Sequence, residues 1–361
     1  MLESGLTVQG SLAQSRMQRS TTSSKRISRL GGSRSPGSVP ARERSVSIIG
    51  AGRVGTALGL ALKAKGYEIE VVVNKRPSAA RRAARAFGPK TLALSALQLT
   101  RLSASQSDRL NRGSLVIIAT PDDVIAATAK QLAAIFRSKL TGSIRPQGVS
   151  AVRRIVLHTS GALSSDVLAP LRGAGLAVGS LHPLVSISDS RSGAELLTRA
   201  FFSVEGDPAA VRTAKSAVRR LGGKSFTIDS GRKALYHAAA VTAAPNMTAL
   251  FDIALEMLGR CGLSRLRARQ VLLPLVESTL KNLETQDPAR ALTGTFKRGD
   301  VSTVQKHLAA LKAENLPEAL AAYVLLGKRS LSLAKTRTTN RTGLDQIARL
   351  LSDAVKSSPR H

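Results

Sequence analysis

The chain has one cysteine, Cys261, no tryptophan, and aromatic side chains at only 3% of its 361 positions. A single thiol cannot build a disulfide framework or a zinc site of several thiolates. No dense cluster of His, Asp and Glu compensates, so no metal is expected. A run of about 18 apolar residues without polar interruption is also missing, which argues against a membrane-spanning helix. The N-terminus lacks the apolar core of a secretory signal, and a cytoplasmic location is expected. Acidic residues are few, 23 against 54 basic ones, giving a formal net charge of +31. An excess of that size suggests nucleic acid, an anionic surface or a polyanionic ligand. The lack of aromatic stacking platforms and of zinc-finger or RNP signatures argues against nucleic acid. What is present in quantity is apolar: 43% of the residues, enough for a substantial core in about two globular units.

The charge is unevenly distributed. Residues 1–44 carry Arg16, Arg19, Lys25, Arg26, Arg29, Arg34, Arg42 and Arg44 against Glu3 and Glu43. This Ser-, Gly- and Arg-rich segment has no hydrophobic period that could offset the entropy of ordering it, and it reads as a disordered basic leader. Its composition superficially resembles a transit peptide; a solvated tail or an upstream start codon explains it as well. Residues 45–361 remain strongly basic without it.

From Ser45 the texture changes. Short β-branched runs at 45–49, 69–73, 115–119, 154–158, 176–181, 201–205 and 225–228 alternate with helical stretches at 56–65, 77–87, 121–136 and 208–221. That alternation predicts an α/β Rossmann-type doubly wound sheet. After Gly231 the strand signals stop. Ala- and Leu-rich helical segments at 233–259, 264–285, 301–313 and 316–334 predict an all-α C-terminal domain. The expected division is a leader over 1–44, a dinucleotide-binding domain over 45–230, a helical substrate and dimerisation domain over 231–335, and a linker with a frayed final helix over 336–361. Two stretches, 94–112 and 138–152, carry the weakest signals and read as surface connections.

Gly50-Ala51-Gly52-Arg53-Val54-Gly55 leaves the first strand and opens a helix, the setting in which G-x-G-x-x-G cradles a pyrophosphate. Where an NAD-binding unit places an acid to hold the ribose, this chain has Asn74, followed by Lys75 and Arg76. A carboxylate would repel a 2′-phosphate and a guanidinium would grip it, so NADP(H) is the expected cofactor. Ala119-Thr120-Pro121, beyond the strand at 115–118, should border the same ligand.

The candidate chemistry rests on histidines that leave strands. His158-Thr159-Ser160 and His182-Pro183 follow two predicted strands, while His237 lies on the first long helix of the second half. Imidazole titrates near neutrality and suits proton transfer or carbonyl polarisation. Ser160 is not in a Gly-x-Ser-x-Gly elbow, which argues against a hydrolase. Hydride transfer needs only a positioned nicotinamide, a substrate clamp and a proton donor.

His158-Thr-Ser-Gly-Ala, Ser180-Leu-His-Pro-Leu, Phe202-Ser-Val-Glu-Gly-Asp207, Tyr236-His-Ala-Ala-Ala-Val and Ala291-Leu-Thr-Gly-Thr-Phe-Lys-Arg-Gly-Asp300 occur in that order. Together they resemble the Rossmann-like proteins that carry the C-terminal domain of unknown function 2520. That family is akin to pyrroline-5-carboxylate reductases and deazaflavin-dependent NADP oxidoreductases. The resemblance spans about residues 45–334. It implies an NADP-binding domain, a helical domain like the C-terminal fold of 6-phosphogluconate dehydrogenase, and a homodimer formed through those helices. Thr295 departs from the proline usual after Leu-Thr-Gly. The Lys-x-x-x-Asn pair of the related β-hydroxyacid dehydrogenases is not reproduced either: Lys233 is followed at that spacing by His237, and Asn246 is the nearest amide.

The expected function is therefore an NADP(H)-dependent oxidoreductase reducing a small carbonyl or imine. His182 or His237 would donate the proton, with Ser160 and His158 nearby. Asn246 would orient the substrate, and Arg298, with Asp300 beside it, would clamp a carboxylate. A non-catalytic NADP(H)-binding sensor or partner protein is the rival reading, and a nucleic-acid-binding protein a third.

Overall fold

A computed structural model describes residues 44–140, 154–336 and 340–356 of the chain. The expected leader, residues 141–152 of one expected connection, and the end of the C-terminal segment lie outside these residues, apart from Arg44. The described residues belong to one compact unit.

The first half is a strand–helix alternation: β1 (Ser45–Ile49), α1 (Arg53–Ala64), β2 (Glu68–Asn74), α2 (Pro77–Phe87), β3 (Leu92–Ser95), α3 (Ala96–Leu99), α4 (Ala104–Arg112), β4 (Leu115–Ile118), α5 (Asp122–Leu140), β5 (Ile155–His158), α6 (Ala169–Arg172), β6 (Ala177–Leu184), α7 (Ser190–Leu196), β7 (Phe201–Gly206), α8 (Pro208–Leu221) and β8 (Lys224–Thr227). The eight strands form one sheet in the order β3-β2-β1-β4-β5-β6-β7-β8, parallel except at β6–β7, where His182 stands opposite Ser203. Helices cover both faces, so β1 and β4 are buried along their whole length rather than on one face only. Val46, Ile48, Leu115 and Ile117 enter the core under α1 and α8. Ile49, Val116 and Ile118 enter the opposite core under α5. The order reverses between β1 and β4, and their carboxyl ends frame the crevice where ligands bind in such sheets.

Residues 94–112 do not form the expected surface connection. They hold the end of edge strand β3 and two short helices, each opened by a capping box, Ser95 with Gln98 and Ser103 with Gln106. Leu99 and Leu110 are buried in the core. Elements this short carry too few periodic positions to register in the sequence.

The second half is helical: α9 (Lys233–Ala243), α10 (Pro245–Arg260), α11 (Arg265–Thr285), α12 (Pro288–Ala291), α13 (Gly294–Arg298), α14 (Val301–Ala313), α15 (Pro317–Ala334) and α16 (Arg341–Lys356). The single helix expected over 233–259 breaks at Ala244 because Pro245 cannot continue the hydrogen-bond ladder. The final helix is packed, not frayed: Leu344, Ile347 and Leu351 are fully buried against α14 and α15. By contrast α10 and α11 bury one residue each, Leu255 and Ala268. Among the described residues, Ser230–Arg260 is also long and apolar enough to cross a membrane by length and composition. That reading was not evident from unbroken apolar runs, since Asn246 and Asp252 interrupt it.

Candidate functional site

Two clefts meet the carboxyl ends of the strands. The first is built by β1, the loop Gly50–Gly52 and α1. Gly50 has φ +106°, and a side chain there would lie 2.6 Å from the Ala119 carbonyl. A side chain on Gly55 would lie 2.0 Å from the Gly50 oxygen, so this glycine lets helix and strand close together. Gly52 is different: a methyl there would meet nothing within 4 Å, leaving bare backbone facing open space. Gly52 caps α1 without a side-chain bond, and no acid occupies the first turn. The early N–H groups are therefore free to face an anion.

The cleft beside this loop measures about 780 Å³ and is lined by Asn74 and by Arg53, Arg76, Arg82, Arg85 and Arg191. The Asn74 side chain accepts from the Arg76 N–H at 3.1 Å, turning the chain so that Arg76 lines the cleft. Lys75 is exposed and does not line it. Arg191, from the head of α7, had no signal in the sequence. Thr120, past β4, holds a buried hydroxyl with no hydrogen-bond partner. An orphaned hydroxyl beside Gly50, an open Gly52 and a ring of guanidiniums fit a phosphorylated dinucleotide. Val54 and Ala119 serve as packing around the glycines, and Pro121 is exposed at the turn into α5.

The second cleft, about 320 Å³, lies between the end of β6 and the α9–α10 junction, lined by His182, Pro183, Val185, His237, Val241 and Pro245. His182 Nδ1 is 2.8 Å from the Tyr236 hydroxyl. The His182 and His237 rings meet edge-on, 5.5 Å between centroids. Both rings pack on Gly161, where a side chain would come within 2.4 Å of His237 Nδ1 and 2.8 Å of His182 Nε2. His237 Nδ1 is buried without a partner. Burial, with the adjacent His237 and the Lys233 charge, pushes the His182 pKa down to about 4. Burial also raises that of Tyr236. Both groups are neutral at pH 7.

The remaining candidates separate. His158 is fully buried; Nδ1 accepts from the Ser160 N–H, and burial reinforced by Lys233 lowers its pKa to about 3. The Ser160 hydroxyl donates to Asp122 at 2.8 Å and accepts from the N–H groups of Ala162 and Leu163, so it shapes the turn behind Gly161. Asn246 is exposed in the first turn of α10 and does not line the histidine cleft. Arg298 ends α13, where Asn340 donates to its carbonyl at 3.1 Å. Asp300 caps α14, accepting from the Thr303 N–H and hydroxyl, bonds that lower its pKa. Neither Arg298 nor Asp300 lines either cleft. Thr295 sits within α13, which forms without the expected proline. Among the described residues, no group of three His, Cys, Asp or Glu is placed to hold a metal ion.

A doubly wound sheet with a glycine cradle at its switch point, followed by a helical region, defines a dinucleotide-binding class of protein. Residues 31–183 match the family described as a Rossmann-like domain, and residues 200–330 match the domain of unknown function DUF2520. The chain is a Rossmann-like protein carrying DUF2520, the family its ordered motifs resemble. No curated protein matches the sequence. Among solved structures, a protein of Bacteroides fragilis described as an NADP oxidoreductase is 20% identical with a TM-score of 0.62, covering 81% of this chain and 99% of its own. A Thermotoga maritima protein is 22% identical with a TM-score of 0.58, covering 81% and 98%. These likenesses are of fold.

Proposed function

We propose that this chain is a cytoplasmic NADP(H)-dependent oxidoreductase that reduces a small carbonyl or imine. The observation that carries this reading is the pairing of an arginine-lined dinucleotide cradle with a histidine–tyrosine cleft on the same sheet rim. The fold is shared with a protein described as an NADP oxidoreductase.

Bound NADPH would supply the hydride. The Gly50–Gly55 loop holds the pyrophosphate, and Arg76, with Arg82 and Arg191, grips the 2′-phosphate. Thr120 and the turn at Ser160 border the nicotinamide end. His182 is neutral and pairs with Tyr236 through Nδ1, so Nε2 is the ring nitrogen left to hydrogen-bond the carbonyl or imine. His237 forms the opposite wall. Residues 45–230 thus bind cofactor, and residues 231–335 supply the substrate wall. Arg298, Asp300 and Asn246 stand outside this cleft, so a contribution from them to substrate requires a second copy. The exposed apolar residues of α9 to α11, among them Leu235, Leu266 and Leu275, support a homodimer through that face.

NADPH and NADH binding to the full chain, followed by NADPH oxidation over a panel of ketones and of ketones with amines, tests the proposal. Tight NADPH binding with turnover on any member supports it; preferred NADH binding overturns the cofactor assignment. Tight NADPH binding with no turnover supports the sensor reading, which one observation favours. The Lys-x-x-x-Asn pair of the related dehydrogenases is not reproduced, and Lys233, at the head of α9, is fully committed to internal partners.

A further inference from the structure

The helix that brings Tyr236 and His237 to the cleft buries no apolar side chain: along α9 the buried residue is Lys233, its first, at 1% exposure. An amphipathic helix normally docks through an apolar stripe. Here a charge does that work. Lys233 Nζ donates to the Ser160 carbonyl at 3.1 Å and to the Ser180 hydroxyl, and lies 3.7 Å from Glu205 Oε1. Glu205 is in turn satisfied by the Ser165 N–H at 2.9 Å and the Ser165 hydroxyl at 2.8 Å. The ammonium thus reaches the turn after β5, and residues of β6 and β7.

Resting on the reductase reading above, we propose that Lys233 is the positioning residue of the histidine site. It pins the start of α9 to the turn after β5 and to β6 and β7, so that Tyr236 and His237, three and four residues on, are delivered against His182 and Gly161. The spacing suits this role, because residues at i, i+3 and i+4 share one helix face. The Ser160 carbonyl that Lys233 grips belongs to the turn whose next residue, Gly161, supports both rings. Removing a buried ion pair for neutral groups can leave stability unharmed, so retaining one here fits specification of a single arrangement.

The charge has a second consequence. The titratable groups packed around Lys233 and His182 are Tyr236 and His237 on α9, Glu205 on β7, His158 on β5 and Asp122 at the head of α5 near the Ser160 turn. Burial is the larger cause that disfavours protonation of His182 and His158, and Lys233, the cation of this set, adds to it. A loosened α9 would admit water to the rings as well as removing the cation.

The test uses the full chain, with NMR titration of the imidazoles and NADPH binding in Lys233→Arg, Lys233→Met and the double variant Lys233→Met/Glu205→Gln. The double variant leaves no uncompensated charge and keeps an acceptor for Ser165. The expected result is an upward move of the His182 midpoint by about one unit or more in the Met variants, from about 4. Lys233→Arg should stay nearer the parent value. NADPH affinity, read at the distant cradle, should change by less than about twofold, while turnover falls about 100-fold through kcat. An unmoved His182 midpoint in a folded Met variant overturns the proposal. A double variant that fails to fold also overturns it, by reducing Lys233 to a folding role. If the parent chain shows no turnover, the reductase reading fails while the titration still decides the role of Lys233.

Discussion

The Tyr236 hydroxyl lies 2.8 Å from Nδ1 of His182, joining the last helix-borne aromatic before the α9–α10 break to the end of strand β6. This bond crosses from the sheet to the helical half and fixes the orientation of an imidazole that lines the cleft. Tyr236→Phe should therefore lower turnover by about 10- to 100-fold, and His182→Ala by about 10²–10⁴-fold. NADPH affinity should be retained in both. Steady-state kinetics beside cofactor titration checks this; unchanged turnover in both variants would remove His182 from the chemistry.

The cradle makes a prediction with two opposite readouts. Gly52→Ala has room for its methyl and should fold with a melting temperature close to the parent, yet bind cofactor at least about tenfold more weakly because the backbone can no longer approach the pyrophosphate. Gly55→Ala collides with the Gly50 carbonyl and should lose about 1–3 kcal/mol of stability. Thermal melts and isothermal titration of the two proteins separate these outcomes.

Arg76 and Arg191 come to one cleft from elements more than a hundred residues apart. Each Ala variant should weaken NADPH binding by about 10- to 100-fold, the range of a charge-assisted hydrogen bond, and leave NADH binding nearly unchanged. Equal losses for both nucleotides would place these guanidiniums on a shared phosphate rather than on the 2′-phosphate.

Acid stability should report on His158. Its folded pKa, about 3, lies below the ordinary 6.5, so between these values the unfolded chain binds a proton the folded chain does not. Stability is then fully present above about pH 6.5 and declines as pH falls toward 3, by several kcal/mol for this fully buried group. His158→Asn keeps an acceptor for the Ser160 N–H and cannot take up the proton. Denaturant titrations across this window should show a shallower slope for the variant.

Much of the fold was legible in the sequence, for a local reason. β1, β2 and β4 are short runs rich in β-branched residues and bounded by turn residues, and α8 and α14 carry apolar positions at helical spacing with Gly or Asp at their ends. Residues 94–112 were not legible, because the end of a four-residue strand and two short helices hold too few periodic positions. Pro245 was legible as a break in the helix backbone, but α9 and α10 on either side of it read as one segment because both carry the same Ala- and Leu-rich spacing. The packing of α16 was equally hidden, since its apolar stripe is no different from that of a solvated amphipathic helix.

The cofactor cradle could be read from residues 50–55 and 74–76 because its function depends on local backbone geometry: a positive φ at Gly50, bare backbone at Gly52, and the side chain that follows β2. The histidine cleft depends on distances between side chains remote in sequence. Sequence nominated His158, Ser160, His182 and His237 together on chemistry alone. Tertiary structure separated them, burying His158 as a neutral packed ring, locking Ser160 into a turn and pairing His182 with Tyr236. It also turned Lys233 inward onto Glu205, where desolvation and a satisfied partner decide the role of a cation in a chain that has 54 basic residues.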